Sequence, residues 1–468
     1  MMLLTLMLAG DLDRTQLPAT LEVGDFELPT AQRATLSNGV EVVLVENHEL
    51  PLFELRVVFR TGGWTDPAGQ EGLAGASLDM LNEGAGELDA VAISTQARTL
   101  GSSVWTSARL DQATVGCSGL VRNLEPTLDL WSTILLEPTF PETEWERLEV
   151  QYAQSLEEDA SDPNSVAWMI SDRVLYGEDY DGREMSLESL EQLQVSAMSE
   201  WYAEHLVPGN ALLLVGGDLT LEQLLPLLEE ELGAWTAEGG HEPPAREAVV
   251  PSETTLYVVD KPGAAQSIIV AGTPVVGRLD PEWWPLYLGN RAWGGSFMSR
   301  LNMTLREEKG WTYGARSRVV TNDVPGVWLA NSAVVSEATA PAVEEILAML
   351  GGVAGEEPLT AEEVDYARSG LLNGYAARFE TVDYLLDQQK LIWRYGLPED
   401  WSVAWLDHIQ GVDPAEAQAV FQSRVAEQPL VIVIVGDMAQ NRAPLEALGL
   451  PIVELDVQGN PVAMKEEN

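Results

Sequence analysis

Two apolar runs constrain the fold of this chain more than any other feature. Residues 208–219 read PGNALLLVGGDL and residues 429–438 read PLVIVIVGDM. Each is an unbroken run of Leu, Ile and Val, closed by Gly-Asp and preceded by a helical pattern. That is the signature of a strand buried in a core. The same ending in both halves of the chain points to duplication of a large domain rather than a short stacked repeat. The sequence divides accordingly into residues 30–235 and 252–455. Between them a Gly-, Pro- and Glu-rich segment, 236–251, reads as an exposed linker. Residues 1–29 and 456–468 flank the two units.

Periodicity fills in the halves. In the first, Val40–Glu46 and Phe53–Arg60 read as strands, Gly72–Asn82 and Val91–Leu100 as helices, and Ser103–Ser107 with Ala113–Ser118 as a strand pair. Leu124–Leu136, Glu142–Asp159 and Leu187–His205 read as helices, the last with Ser186 as its N-cap. In the second half, Thr255–Val259 and Gln266–Thr273 are expected strands, Pro281–Trp293 and Ser299–Glu308 helices, and Thr312–Val320 and Val327–Ala333 strands. Strands alternating with helix pairs predict an α+β protein: two similar domains, each a mixed sheet backed by helices.

Composition narrows the function. With 46% hydrophobic residues, the 468-residue chain can bury sizeable cores. Its formal charge is −48, from 74 acidic and 26 basic residues. Such a surface repels nucleic acid and anionic membranes. Two readings stay open: a soluble, saline-adapted surface, or a field that draws in basic partners or peptides. The single Cys117 rules out an internal disulfide and thiolate zinc sites. The opening MMLLTLMLAG resembles the apolar core of a secretion signal, short and without a basic start. Export to the periplasm or beyond is the expectation, with a cytoplasmic location as the alternative. No later apolar run is long enough to span a membrane.

Several segments, in this order, carry a resemblance. LSNGVEVVLVEN (36–47), GGWTDPAGQEGLA (62–74), LYGEDYDG and SLESLEQL (175–193), DKPGAAQSIIVAG (260–272) and above all GGSFMSRLNMTLREEKGWTYGARS (294–317) resemble the pitrilysin/insulinase metallopeptidases, the inverzincins. The match is to the short, two-domain branch of mitochondrial processing peptidase and its bacterial relatives. It covers the chain from about residue 34 to 437, and it implies that each protein forms half of a clamshell. In this family the zinc helix reads G-L-A-H-x-x-E-H-M-L-x-x-G. Here Gly72, Leu73, Ala74, Met80, Leu81 and Gly84 match, but Gly75 and Asp79 stand at the histidines and Leu78 at the glutamate.

Two histidines four apart share a helix face and grip one ion, and the glutamate beside them polarises its water. Gly75 offers no ligand atom, Leu78 cannot act as a base, and Asp79 alone is too little for a catalytic zinc. The four histidines, His48, His205, His241 and His408, are scattered. The family's third ligand lies in a later helix. Here that region, LEVQYAQSLEEDASDP (148–163), puts Gln154 or Ser155 at the ligand position. The acidic Glu157 and Glu158 read as a solvated face. No metal is expected in this chain.

The second half keeps what the first has lost. Arg306 and Tyr313 match the Arg/Tyr pair that the resemblance assigns to substrate handling on the non-zinc domain. Guanidinium and phenol are donors suited to a carbonyl or a developing oxyanion. Gly294, Gly295, Ser296 and Phe297 are expected to form the supporting loop. The tryptophans at 283, 284, 293, 401 and 405 read as core. The resemblance therefore implies a non-catalytic, substrate-binding subunit, paired with a zinc-motif-bearing subunit that supplies the zinc, and acting on peptides or unfolded polypeptides. A pseudo-peptidase serving as a scaffold, with no proteolytic partner, is the alternative.

Overall fold

The computed structural model describes residues 28–177, 182–240, 248–320 and 326–462. The N-terminal apolar run, His241 and parts of the linker and tail lie outside the described residues. The strands are β1 (Ala31–Thr35), β2 (Glu41–Glu46), β3 (Leu52–Phe59), β4 (Gly84–Ala85), β5 (Leu88–Asp89), β6 (Ser103–Ala108), β7 (Ala113–Leu120), β8 (Ala211–Gly217), β9 (Thr255–Asp260), β10 (Gln266–Val275), β11 (Thr312–Val320), β12 (Gly326–Val335), β13 (Val431–Gly436) and β14 (Ile452–Leu455). One six-stranded sheet runs β1-β2-β8-β3-β7-β6 and the other β11-β12-β10-β13-β9-β14.

Five strands of each sheet correspond. The parallel pair β2·β8 matches the parallel pair β9·β13. The antiparallel steps β8·β3, β3·β7 and β7·β6 match β13·β10, β10·β12 and β12·β11. The sixth strands differ: β1 is antiparallel to β2, whereas β14 is parallel to β9. The expected α+β class, two mixed sheets backed by helices, is thus the observed one.

The two signature runs owe their unbroken apolar character to an exchange between the halves. In β8, Leu213 and Val215 face the first half's own core, while Leu212 and Leu214 pack on Leu385 and Leu386 of the helix Val382–Tyr395, from the second half. In β13, Ile432 and Ile434 face the second half's core, while Val431, Val433 and Val435 meet Val166, Ala167 and Ile170 of the helix Pro163–Tyr176, from the first half. A strand covered on both faces has no polar face to alternate with. Polar ties reinforce the exchange. Arg56 of β3, buried, pairs with Glu54 and with Asp383 and Asp387 of the exchanged helix. The Arg60 guanidinium bonds the Trp393 carbonyl at 2.9 Å and stacks 4.2 Å from its ring.

Two helices depart from expectation. Leu187–His205 is broken into Leu187–Leu190 and Val195–His205. Ser186 and Ser189 close a capping box around one turn, and Leu190 and Leu193 are both buried. A continuous helix gives way to a bend that buries both leucines. The segment 299–308 begins as a short α-helix, Arg300–Asn302, and widens into π-register over Met303–Glu308. Such a widening is frequent at functional sites. No described helix is long and apolar enough to cross a membrane.

Candidate functional site

The motif helix, Leu73–Leu81, starts where Gly72 turns the backbone at φ 97, a conformation that favours glycine. Asp66, buried, caps it: its carboxylate accepts from Gly72 N at 2.8 Å and Ala74 N at 2.9 Å. Burial pushes the Asp66 pKa up to about 7, against these two hydrogen bonds and nearby Arg183, which lower it. Leu78, which stands where the resembled motif carries its glutamate, is fully buried in the first half's core.

Asp79 points its carboxylate at Tyr152 of the helix Glu142–Ser161, whose hydroxyl donates at 2.6 Å. The same hydroxyl lies 3.9 Å from where a Cβ on Gly75 would stand. Loss of water around the Asp79 carboxyl raises its pKa, partly offset by the Tyr152 hydrogen bond, and burial also pushes the Tyr152 phenol up. Tyr152 therefore sits against both histidine-equivalent positions. Gln154 and Ser155, the residues expected there, are exposed, and Gln154 bonds Glu158 at 2.8 Å. Helix phase explains the shift: 152 faces the motif helix, 154 and 155 face out. Glycine, leucine and an aspartate held by a tyrosine do not fit a zinc ion. Among the described residues no three His, Cys, Asp or Glu side chains gather where a metal could be held. His48 is bound between Glu46 and Asp218, His205 lies on Trp201 and His408 stacks on Trp284.

Arg306 lies in the π-register segment and Tyr313 on β11. Tyr313 is 91% exposed. The Arg306 guanidinium stands 4.8 Å from the Phe297 ring, and its Nε is 3.2 Å from Glu307. Phe297 and Met298 are half exposed beside it. The loop beneath is tightly built. The Gly294 carbonyl accepts from Ser317 N at 2.8 Å, and a Cβ on Gly294 would fall 2.3 Å from Ser317 Oγ. A Cβ on Gly295 would fall 2.9 Å from Arg291 Cα. The Ser296 carbonyl accepts from Ser299 Oγ at 2.6 Å.

Two buried asparagines lock this loop to the sheet, and local sequence gave no sign of either. Asn302 Nδ2 donates to the Phe297 carbonyl at 2.7 Å while its Oδ1 accepts from Ala315 N at 3.1 Å. Asn290 Oδ1 accepts from Ser317 Oγ at 2.6 Å and Trp328 Nε1 at 2.8 Å. Loop and strand form one rigid base, and Arg306 and Tyr313 project from it. The expected core tryptophans at 283, 284, 293, 401 and 405 are all buried.

The two sheet edges differ. The outer side of β11 is closed at Ala315 and Ser317 by Asn302 and Gly294. Among the described residues no backbone hydrogen bond joins the outer side of β6, which pairs only with β7. The open edge borders the motif helix, where Asn82 Nδ2 bonds Thr106 Oγ1 at 2.9 Å. No hydrogen bond, ion pair or ring contact among the described residues links Arg306 or Tyr313 to Asp79 or Tyr152.

Comparison with known proteins agrees with this geometry. Residues 192–371 match the family described as the Peptidase M16 inactive domain. The chain is 22% identical over 411 residues to a Helicobacter pylori protein named non-peptidase homolog YmxG, covering 86% of this chain and 93% of that one. It is 21% identical over 440 residues to an uncharacterized zinc protease of Streptomyces coelicolor, covering 90% and 92%. The crystal structure of a peptidase M16 inactive domain from Pseudomonas fluorescens superposes with a TM-score of 0.78 at 23% identity, over 87% of this chain and 98% of that one. The chain thus shares the two-domain fold of M16-type proteins, and its residues 192–371 match the M16 inactive domain.

Proposed function

We propose that this chain is the non-catalytic, peptide-binding subunit of a zinc-dependent M16 endopeptidase. A second subunit with an intact H-x-x-E-H motif would supply the zinc and the base. The observation that carries this reading is the contrast between the two sites. The motif helix holds a leucine in its core and an aspartate tied to Tyr152, whereas Tyr313 stands almost fully exposed on a base braced by two buried asparagines.

An extended segment of polypeptide would add as a strand to the open edge of β6. Backbone hydrogen bonds would hold it without regard to sequence, as a peptidase acting on unfolded polypeptides requires. Arg306 and Tyr313 would serve the partner's site as donors to the scissile carbonyl or the oxyanion that forms from it. The relative named a non-peptidase homolog agrees with the lack of chemistry in this chain and is equally compatible with a scaffold. Against the scaffold stands Tyr313, since a structural protein has no use for an exposed phenol on so rigid a mount.

The test mixes this chain with a protein of the same organism that carries an intact H-x-x-E-H motif in this fold, assayed on reduced casein. Arg306→Ala and Tyr313→Phe are each expected to lower turnover by roughly 10²–10³ while thermal melts and complex formation stay unchanged. Wild-type rates in both variants, or no gain in activity on mixing, would refute the assignment.

A further inference from the structure

The loop 294–297 is fixed at four successive carbonyls. That of Gly294 accepts from Ser317 N at 2.8 Å, that of Gly295 from the Arg291 guanidinium, that of Ser296 from Ser299 Oγ at 2.6 Å and that of Phe297 from Asn302 Nδ2 at 2.7 Å. So firm a backbone fixes where the Phe297 side chain starts. Yet Phe297 is 51% exposed and belongs to none of the hydrophobic clusters of either half. Burial therefore does not explain the ring. Among the described residues its one cationic or aromatic partner is Arg306, whose guanidinium carbon lies 4.8 Å from the ring centroid.

Arg306 needs such a support. A guanidinium on a long stem loses much rotamer freedom when it is held in one place. The ion pair of Arg306 joins Nε to the adjacent Glu307 at 3.2 Å, and both side chains are partly exposed. An exposed pair of that kind contributes little. The Phe297 ring supplies what the carboxylate does not: a flat apolar face that sets the plane of the guanidinium. Stacking uses the face of the cation and leaves its in-plane N–H groups free to donate. Among the described residues neither Nη of Arg306 has a hydrogen-bond partner.

We propose that Phe297 is a positioning residue, which holds the Arg306 guanidinium in one plane so that its Nη groups meet the oxyanion that forms from a peptide carbonyl. The inference rests on the reading of Arg306 as a donor given above, and it adds the residue that orients that donor. Phe297 acts through Arg306 and not on the peptide.

The test is a double-mutant cycle in the complex with the zinc-motif protein, assayed on reduced casein. Phe297→Leu keeps an apolar side chain and removes the flat face. It is expected to lower turnover about two- to fivefold, the worth of an exposed cation–π contact, with KM and the thermal melt of the chain unchanged. Phe297→Tyr should restore the rate. In an Arg306→Ala background, Phe297→Leu should change nothing further. In the chain alone, the Nε–H resonance of Arg306, assigned from its loss in Arg306→Lys, should move in Phe297→Leu toward that of a free arginine. Should Phe297→Leu fail to fold, Phe297→Met takes its place in both measurements. A loss in Arg306→Ala with wild-type turnover in Phe297→Leu would overturn the inference and leave the reading of Arg306 standing. An equal loss from Phe297→Leu in both backgrounds would also overturn it, because Phe297 would then act by itself. Wild-type turnover in Arg306→Ala would refute the reading, and the inference with it.

Discussion

The two halves use one template for opposite ends. In the first half no described backbone group pairs with the outer side of β6, and the helix beside it packs Leu78 into the core and ties Asp79 to Tyr152. In the second half the edge β11 is sealed by Gly294 and Asn302; the segment before it presents Arg306, and β11 itself presents Tyr313. Duplication supplies two equivalent surfaces, and each can lose what the other keeps. Here Tyr152 bridges the two helices, its hydroxyl donating to Asp79.

This contrast can be broken most sharply at Leu78. If its position is now pure packing, Leu78→Glu, which restores the family's glutamate, should destabilise the chain by about 3–5 kcal/mol, since it buries an unpaired carboxylate. Chemical denaturation reads this directly. A variant as stable as wild type would mean that the position still opens onto a site.

The cap of the motif helix makes a smaller, pH-dependent contribution. The Asp66 pKa is raised to about 7 in the folded protein. Between the ordinary carboxylate range and about pH 7 the folded state therefore binds more protons than the unfolded one. The stabilisation is full below that range and is lost as pH rises through 7, with a slope of at most about 1.4 kcal/mol per pH unit. Asp66→Asn should flatten this part of the stability profile. An unchanged profile would show that the two backbone donors hold the carboxylate ionised throughout.

The smallest effect is expected at the bridge itself. Tyr152→Phe removes one hydrogen bond to Asp79 and should cost about 1–2 kcal/mol. It should also raise the Asp79 pKa further, because the hydrogen bond that lowers it is gone. Carboxyl NMR titration of the variant against wild type checks the direction. A fall in the Asp79 pKa would mean that another group holds that carboxylate.

Much of the fold was legible because it rests on local pattern. The strand Thr312–Val320 and the helix Leu124–Leu136 lie where apolar period and turn residues put them. What stayed hidden rests on tertiary packing. The bend after Leu190 is set by burial of Leu193, not by a glycine or proline. The covering of β8 by Leu385 and Leu386, and of β13 by Val166 and Ile170, joins residues far apart in sequence. At the site, Gly75, Leu78 and Asp79 could be read as a lost motif because the surrounding frame remained. Tyr152 could not, since helix phase across two elements decides which side chain arrives. Asn290 and Asn302 are single polar residues in apolar stretches, and only their hydrogen bonds mark them as supports.

The most direct measurement is of the metal chemistry of the chain by itself. The purified protein is equilibrated with zinc, desalted and analysed for bound metal, and the same sample is assayed on reduced casein with and without a chelator. The expected result is no stoichiometric zinc and no chelator-sensitive cleavage, because Gly75, Leu78 and Asp79 leave neither ligand set nor base. One tightly held zinc per chain, together with cleavage that a chelator abolishes, would contradict it.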